Sequence, residues 1–252
     1  MTTIDLLAVG KAYPGGVRAL DRVDFNVAAG EFVALLGPSG CGKSTLLNLV
    51  AGFEPLTEGT LTFDGGGVSR PGPDRGVVFQ EASLMPWLTV WDNVVFGPQV
   101  QKVPRREYEL RAREMLRLMG LEQFHQALPV QLSGGMRQRV GIARALVMQP
   151  KALLMDEPFG ALDAQTRLSM QELLLEIWQT LKTTVLFVTH DIDEAILLAD
   201  RVCVMTARPG RITREIPIDL PRPRSIDTLT SAGFTRLKAI VMAEMRGAHA
   251  PH

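Results

Sequence analysis

The sequence lacks a cysteine framework, a long hydrophobic run and a secretory leader pattern. Its two cysteines, Cys41 and Cys203, are too few and too far apart for a disulfide scaffold or a metal cluster, so a reducing compartment is expected. No apolar stretch approaches the roughly 20 residues of a membrane-spanning helix, so any membrane spans must come from another chain. The first residues also lack the basic-then-apolar pattern of a signal peptide.

The sequence also lacks an excess of charge of either sign. It has 27 Lys and Arg residues against 27 Asp and Glu residues, whereas nucleic-acid-binding proteins usually carry a basic excess. We therefore expect no nucleic-acid partner. The hydrophobic share of 46% over 252 residues is ordinary for a globular protein and is sufficient for the core of one large domain.

Short apolar strand patterns alternate with helical patterns, which favours a mostly parallel sheet covered by helices. From about residue 88 to 148 the pattern is helical and predicts an inserted sub-domain. After Pro221-Arg-Pro-Arg224 a short tail follows, with a helix at about Thr235–Met245 and too few residues for a further folded domain. The predicted strands are Ile4–Val9, Val23–Val27, Glu31–Leu36, Thr60–Phe63, Gly76–Phe79, Ala152–Met155, Thr184–Thr189, Val202–Thr206 and Ile212–Ile216.

Residues suited to helix ends recur at the borders of the helical patterns. The predicted helices are Lys43–Ala51 ending at Gly52, Arg105–Met119 ending at Gly120, Ser133–Val147 with Ser133 as the cap, a long helix from the cap Asp163 to about Thr180, and Ile192–Ala199 with the capping pair Asp191 and Glu194.

A glycine-rich turn between a predicted strand and a predicted helix carries the most specific motif. It matches the phosphate-binding loop pattern of Gly, four residues, then Gly-Lys-Ser. Backbone N–H groups and the helix start attract phosphate oxygens, while Lys43 would reach the β- and γ-phosphates of ATP and Ser44 would hold Mg²⁺. A chance match has a probability on the order of one per cent. The predicted phosphate-binding residues are Gly37, Pro38, Ser39, Gly40, Cys41, Gly42, Lys43, Ser44 and Thr45.

Two adjacent carboxylates end the apolar strand Ala152–Met155. Taken alone, Asp156 and Glu157 would equally suit a solvated strand end. Beside a phosphate-binding loop they suit catalysis, because Asp156 would bind Mg²⁺ or its water and Glu157 would orient and polarise the attacking water.

The segment Leu132-Ser133-Gly134-Gly135 begins a helix and offers a second anion-binding N-terminus. By itself this is a common helix cap. A single nucleotide does not need two such ends from one chain, so we expect a dimer in which each chain offers Ser133, Gly134 and Gly135 to the ATP of its partner.

These motifs, with Gln80, Ala161-Leu162-Asp163 and His190, occur in the order and spacing of ABC-transporter ATPases, and the resemblance covers Ile4 to about Pro221. It implies a P-loop NTPase α/β fold with a mostly parallel RecA-like core, an N-terminal antiparallel β region and an inserted α-helical sub-domain. The ATP-binding domain would span residues 1–220, with residues 221–252 as the tail.

The resemblance also implies roles for four further residues. Tyr13 would stack on adenine, and Gln80 would sense Mg²⁺ and water and couple to the membrane subunit. Asp163 would link the two sites across the dimer, and His190 would contact the γ-phosphate as a switch histidine. Met136 and Gly160 depart from the commoner Gln and Ser, but neither change removes a charged or hydroxyl catalytic group.

The segment after Gln80 is unusually apolar for a connecting loop. Leu84, Met85, Trp87 and Leu88 would form a surface groove for a partner helix or pack the helical sub-domain onto the sheet. In ABC importers this region receives the coupling helix of the permease. We therefore expect permease subunits to dock near Gln80–Leu88, with a solute-binding protein acting indirectly, at the cytoplasmic face of the plasma membrane.

Three segments resemble ATPases of the nitrate/sulfonate/taurine importer group, namely Pro73–Gln80, Met85-Pro-Trp87 and Arg208-Pro-Gly-Arg-Ile212. The expected substrate is taurine or an alkanesulfonate, with nitrate next. An importer for another small solute, an exporter subunit, a soluble ABC ATPase of DNA repair or translation, and a non-catalytic module are the alternatives. The expected dimer pairs identical chains or this chain with a homologous ATPase subunit.

Overall fold

The computed structural model describes residues 3–207 and 209–248. Arg208, which belongs to one of the resembling segments, lies outside the described residues, as do 1–2 and 249–252 at the ends of the predicted domain and tail. The chain forms two compact units. The first unit comprises Met1–Gly72 and Leu174–His252, and the second comprises Pro73–Leu173.

Strands and helices alternate along the chain, as the hydrophobic pattern predicts. The strands are β1 (Ile4–Ala12), β2 (Arg18–Val27), β3 (Phe32–Leu36), β4 (Glu58–Phe63), β5 (Gly66–Gly67), β6 (Arg75–Val78), β7 (Ala152–Asp156), β8 (Thr184–Thr189), β9 (Arg201–Met205) and β10 (Ile212–Pro217). The helices are α1 (Lys43–Ala51), α2 (Val90–Val100), α3 (Arg105–Leu118), α4 (Gly134–Leu146), α5 (Ala164–Leu181), α6 (Ile192–Leu198) and α7 (Ala232–Ala248). Among the described residues, no helix is long and apolar enough to cross a bilayer.

The first unit contains an antiparallel sheet and a largely parallel sheet. The antiparallel strands lie in the order β2-β1-β4-β5, and the second group lies in the order β10-β9-β3-β8. Strands β3, β8 and β9 are parallel, and β10 is antiparallel to β9. All residues of β3 and β8 are buried, which is typical of parallel strands covered on both faces. The ring of Phe32 packs edge-on against Trp178 and tilted against Phe187 within this core.

The ends of α1 and the packing of α7 follow from simple residue properties. Helix α1 has the predicted bounds, and Gly52 ends it in the left-handed conformation that glycine adopts without steric cost. Helix α7 is longer than the predicted Thr235–Met245. Its apolar stripe buries Phe234, Leu237 and Val241, so the tail is packed within the first unit.

The second unit contains a parallel strand pair and a group of helices. Strands β6 and β7 pair in parallel, from Arg75 opposite Ala152 to Val78 opposite Met155. Helix α3 ends next to Gly120, whose φ is 65°, and Ser133 caps α4, so both predicted ends are confirmed.

The start of β2 and the capping pair of α6 differ from the prediction. Strand β2 starts at Arg18 and not at Val23, because pairing with β1 extends it through a polar stretch that contains a left-handed residue, Arg22 at φ 47°. The pair Asp191 and Glu194 does not form a reciprocal capping box. Asp191 caps α6, but the carboxylate of Glu194 accepts a hydrogen bond from the hydroxyl of Thr189.

Candidate functional site

The predicted site residues divide between the two units. Tyr13, the loop Gly37–Thr45 and His190 belong to the first unit. Gln80, Ser133, Gly134, Gly135, Asp156, Glu157 and Asp163 belong to the second unit.

The glycine-rich loop connects the buried strand β3 to helix α1, as a phosphate-binding loop requires. The buried ammonium of Lys43 donates hydrogen bonds to the carbonyl oxygens of Gly37 at 2.7 Å and Pro38 at 3.1 Å. Its Nζ also lies 3.9 Å from Sγ of Cys41. The loop therefore curls around the cation, which places a positive charge beside the backbone that would meet the phosphates.

Two glycines of the loop are needed for its shape. Gly42 has φ 94°, and a Cβ there would lie 2.8 Å from Leu20 Cδ2 and 2.9 Å from the Ala19 carbonyl oxygen. At Gly37, a Cβ would lie 2.7 Å from the Met205 carbonyl oxygen. Gly42 is also the N-cap of α1 and offers no side chain to its first turn, so the N–H groups there suit a phosphate ligand.

His190 directly follows strand β8, at the sheet edge where the glycine-rich loop follows β3. In the parallel pair β3 and β8, Leu36 lies opposite Thr189, so Gly37 and His190 both follow at the carboxyl edge of neighbouring strands. His190 is exposed, and the next residue, Asp191, caps α6 by accepting N–H groups of Asp193 and Glu194. This edge is where ligands bind in open α/β sheets.

Tyr13 lies at the turn between β1 and β2. Its hydroxyl donates to Glu54 Oε1 at 3.0 Å, and the ammonium of Lys11 lies 4.9 Å from its ring centroid. Lys11 also pairs with Glu54 at 3.0 Å. These contacts orient a half-buried ring, which is a suitable surface for stacking.

Gln80 and the two carboxylates also lie at one strand edge. Val78 at the end of β6 is opposite Met155 in β7, so Phe79-Gln80 and Asp156-Glu157 follow side by side. A Cβ on Gly160 would lie 3.2 Å from Gln80 Nε2 and 3.8 Å from Glu157 Oε2, so both side chains reach the same spot. Glu157 has φ 44°, a conformation that non-glycine residues seldom adopt and that is often found at functional sites.

The start of α4 presents Ser133 and Gly134 to solvent. Ser133 Oγ accepts the N–H of Met136 at 3.2 Å, and Gly135 is buried. A Cβ on Gly135 would lie 2.5 Å from Thr166 Cγ2, so only glycine fits there without rearrangement. The exposed helix start is therefore accessible to a ligand of another molecule.

Asp163 caps α5, as the sequence predicts. Its Oδ1 accepts the N–H of Thr166 at 3.0 Å. Hydrogen bonds from Thr166, first from its side chain and then from its backbone, hold the pKa of this exposed carboxyl below its usual value. Asp163 is therefore an anion at neutral pH.

Sequence reasoning missed the side chains that hold the segment after β6. The buried amide of Asn93 makes four hydrogen bonds, to the N–H and carbonyl oxygen of Met85 and to the carbonyl oxygens of Leu88 and Thr89. From α4, Gln138 donates to the Phe79 carbonyl oxygen, and Arg144 donates to those of Ala82 and Ser83. An Asn within the apolar face of a helix was the available signal.

The same segment borders a cavity of about 450 Å³ in the second unit. Gln80, Leu84, Gly134 and Leu162 are among the residues that line it. On the same segment, Trp87 is 74% exposed, a high value for so large an apolar side chain.

The residues present suit Mg²⁺ held together with a nucleotide. Among the described residues, no cluster of three or more His, Cys, Asp or Glu side chains forms a metal site. In nucleotide-binding sites, Mg²⁺ is usually held by one or two carboxylates together with substrate phosphates. In the first unit Ser44 is exposed, and in the second unit Asp156 is half-buried; each side chain carries an oxygen of the kind that Mg²⁺ binds.

Comparison with known sequences gives consistent matches. The family model described as "ABC transporter" matches residues 20–160. The taurine import ATP-binding protein TauB of Rhizobium johnstonii is 56% identical over 210 residues, covering 83% of this chain and 80% of the relative. The nitrate import ATP-binding protein NrtD of Synechocystis sp. is 50% identical over 221 residues, covering 88% and 82%.

Solved structures match the fold along most of the chain. A dimeric post-hydrolysis structure of the ATP-binding cassette MJ0796 with ADP and Pi has a TM-score of 0.75 and 36% identity, covering 86% of this chain and 100% of that one. The structure of cbiO1 from Clostridium perfringens has a TM-score of 0.79 and 29% identity, covering 98% and 97%. The predicted cassette fold is thereby confirmed.

Proposed function

The chain belongs to the ABC transporter family as an ATP-binding and ATP-hydrolysing subunit, and we propose that it powers the import of a small sulfonate or nitrate. The observation that carries this proposal is the phosphate loop at the carboxyl edge of β3, in a chain with close relatives named for taurine and nitrate import. Residues 1–220 would form the ATP-binding domain, with the helical sub-domain at about 88–148 and the tail at 221–252.

In the first unit, the proposed ATP ligands are the residues of the Gly37–Thr45 loop. The N–H groups at the start of α1 and the charge of Lys43 would stabilise the phosphates, and Tyr13 would stack on the adenine. His190, at the same sheet edge as the loop, would contact the γ-phosphate and offset the charge that develops during transfer.

In the second unit, Glu157 would orient and polarise the attacking water, and Gln80 would sense both water and metal. Their approach to Gly160 supports this pairing. Asp156 and Gln80 of the second unit, with Ser44 of the first unit, are the proposed oxygen donors for Mg²⁺, which would neutralise phosphate charge when bound.

We infer a dimer in which each chain completes the site of the other. The exposed start of α4 supports this, since Ser133 and Gly134 are free to approach a nucleotide on a partner. The dimeric cassette structure with ADP and Pi supports it as well. Asp163 at the exposed start of α5 would link the two sites. The partner is a second copy of this chain or a homologous ATPase subunit.

The membrane partner is proposed from the surface after Gln80. Permease subunits would dock near Gln80–Leu88, where Trp87 is exposed and the cavity opens. The protein would then lie peripherally on the cytoplasmic face of the membrane. A solute-binding protein would deliver the substrate to the permease, so this chain would not touch the sulfonate or nitrate.

The variant Glu157→Gln tests the catalytic part of the proposal. It keeps the size and hydrogen-bonding atoms of the side chain but removes the carboxylate, so hydrolysis should fall by roughly 10²-fold or more while ATP binding is kept. With ATP, the variant should shift to a dimer in size-exclusion chromatography. The exposed Glu176→Gln is the matched control and should hydrolyse ATP at the wild-type rate.

The same trapped variant tests the transport part. Tagged Glu157→Gln, incubated with ATP and recovered from detergent-solubilised native membranes, should bring down a multi-span permease and a solute-binding protein that binds taurine, an alkanesulfonate or nitrate. Recovery of soluble or nucleic-acid-associated partners alone would contradict import and leave an ABC ATPase with another role.

A further inference from the structure

The C-terminal end of α6 is capped by two arginines from a distant part of the chain. The last carbonyl groups of a helix lack intrahelical donors. Here Arg224 donates to the carbonyl oxygens of Ile196, Leu197 and Ala199 at 3.1, 3.3 and 2.6 Å. Arg222 donates to that of Leu198 at 2.7 Å. All four carbonyl groups from 196 to 199 are therefore satisfied by the Pro221–Arg224 segment.

Arg224 is built into the first unit and is not a surface contact. It is 5% exposed, and it also donates to the carbonyl oxygens of Ile218 and Leu220. Burial, with a smaller effect of nearby Arg222, lowers the pKa of Arg224 to about 10, so the guanidinium stays charged at neutral pH. A buried cation at the C-terminal end of a helix complements the negative end of its dipole.

Arg222 is fixed on its other side. Its guanidinium lies 4.0 Å from the ring centroid of Trp178 and pairs with Asp200 at 2.7 Å. The two arginines thus connect the end of α6 to α5 and to the turn before β9.

The tail also contacts the first turn of α6. Lys238 of α7 pairs with Asp193 at 2.8 Å. Next to it, the hydroxyl of Thr189 donates to the buried Glu194 at 2.7 Å, and Asp191 caps the helix. His190 therefore lies between the last residue of β8 and the cap of a helix that the tail holds at both ends.

From this geometry we propose that Arg224, assisted by Arg222, is a positioning residue for His190. Helix α6 has only seven residues, too few to be stable without caps and packing. Because both ends of α6 are fixed, the Asp191 cap and the backbone of His190 are held in a single position relative to the loop at the edge of β3. This inference rests on the proposed role of His190 in hydrolysis.

Loss of the arginine caps should loosen α6 and let His190 shift. A displacement of about 1 Å in a catalytic group is sufficient for a large loss of rate. ATP binding should change little, because neither Lys43 nor the start of α1 belongs to the contacts that connect Arg224 through α6 to His190. The effect should therefore fall on kcat and leave KM nearly constant.

The first test measures ATPase kinetics of Arg224→Lys, which keeps the charge but cannot reach several carbonyl groups at once. We expect kcat to fall about tenfold with KM within about twofold. In a His190→Ala background, Arg224→Lys should cause no further loss of single-turnover rate, since its effect passes through His190. Leu61→Ala, buried in the antiparallel sheet, is the control for general destabilisation and should leave kcat near the wild-type value.

The second test is independent of activity. In protein labelled at histidine Cε1, Arg224→Lys should shift or broaden the His190 signal and leave that of His125, in the second unit, unchanged. If Arg224→Lys fails to fold, Arg222→Gln is the second variant. It removes the contact to the Leu198 carbonyl oxygen, the ion pair with Asp200 and the cation over Trp178, and it should produce the same changes at smaller size, because Arg224 still caps three carbonyl groups.

The outcomes separate two failures. An unchanged His190 signal, a wild-type kcat in Arg224→Lys, or an equal loss of rate in the His190→Ala background would overturn the positioning role. A wild-type hydrolysis rate in His190→Ala alone would contradict the proposed function of His190, while the labelled-histidine spectrum would still decide whether the tail fixes its position.

Discussion

The side chain of Ser133 caps helix α4 and is also proposed to contact the nucleotide bound to a partner chain. Its hydroxyl oxygen accepts the N–H of Met136 and caps α4. The same exposed helix start is proposed to meet the γ-phosphate of ATP on a partner chain. Substitutions that preserve one task and remove the other can separate them, because Asp caps helices about as well as Ser but carries a negative charge.

We predict that Ser133→Asp keeps the stability of the protein and loses the ATP-dependent dimer. The carboxylate should still cap α4, while it repels the phosphate of the partner site. Ser133→Ala should instead lose about 1 kcal/mol of stability, because the cap is removed. Urea unfolding and size-exclusion chromatography with ATP in the Glu157→Gln background measure the two effects. Normal dimerisation of Ser133→Asp would show that Ser133 does not face a phosphate.

At the scale of an element, the segment between β6 and α2 is ordered largely by side chains. Four of its hydrogen bonds go to the amide of Asn93, which is fully buried. Since this segment carries Trp87, its conformation would decide how the proposed permease surface is presented. A buried amide with four partners is also costly to remove, because the Met85 N–H and the Leu88 carbonyl oxygen would lose the hydrogen bonds that it makes.

We predict that Asn93→Ala destabilises the protein by roughly 3 kcal/mol, since the Met85 N–H and the Leu88 carbonyl oxygen lose their hydrogen bonds together. It should also make residues 85–89 the first site of cleavage in limited proteolysis. The exposed Gln99→Ala on the same helix is the matched control and should change neither quantity. A stability loss of less than about 1 kcal/mol for Asn93→Ala would show that the segment is ordered by other contacts.

Elements with strong local signals could be predicted from the sequence. Helix α1 and strand β8 have the predicted bounds, because a glycine stop and a β-branched run between polar residues are local features. The hydrogen-bond partner of Glu194 could not be predicted from the sequence. The carboxylate bonds to Thr189 and not to the backbone of Asp191, because the end of β8 places the Thr189 hydroxyl within reach. The extra length of β2 depends on its pairing with β1, which local pattern does not report.

In the site, as in the fold, features set by local sequence could be predicted and features set by tertiary contacts could not. The order of the motifs indicates the fold, and the strand pairs put the expected residues at common edges, with Leu36 opposite Thr189 and Val78 opposite Met155. The role of Arg222 and Arg224 as caps of α6 could not be predicted from the sequence, because the carbonyl groups that they bond lie about 25 residues earlier in the chain. Only tertiary structure relates such a pair of positions.

Across the whole molecule, the proposed permease surface differs from other exposed apolar positions in how its backbone is held. Trp87 is 74% exposed, and it lies on a segment whose conformation is fixed by buried hydrogen bonds. Large aromatic side chains on a preorganised surface are common centres of protein interfaces. Several other apolar side chains are also exposed, such as Leu110 at 76% on α3, so exposure alone does not identify the surface.

We predict that Trp87→Glu separates hydrolysis from transport. An exposed side chain can accept the charge without unfolding the protein, so the ATPase rate of the isolated chain should stay within about twofold of wild type. A charge in the apolar centre of an interface should reduce recovery of the permease at least about tenfold and abolish uptake in cells. Leu110→Glu adds the same charge at an equally exposed apolar position and should leave assembly and uptake intact. If Trp87→Glu assembles and transports like Leu110→Glu, the permease does not dock on the segment after Gln80, and the coupling surface must lie elsewhere on the chain.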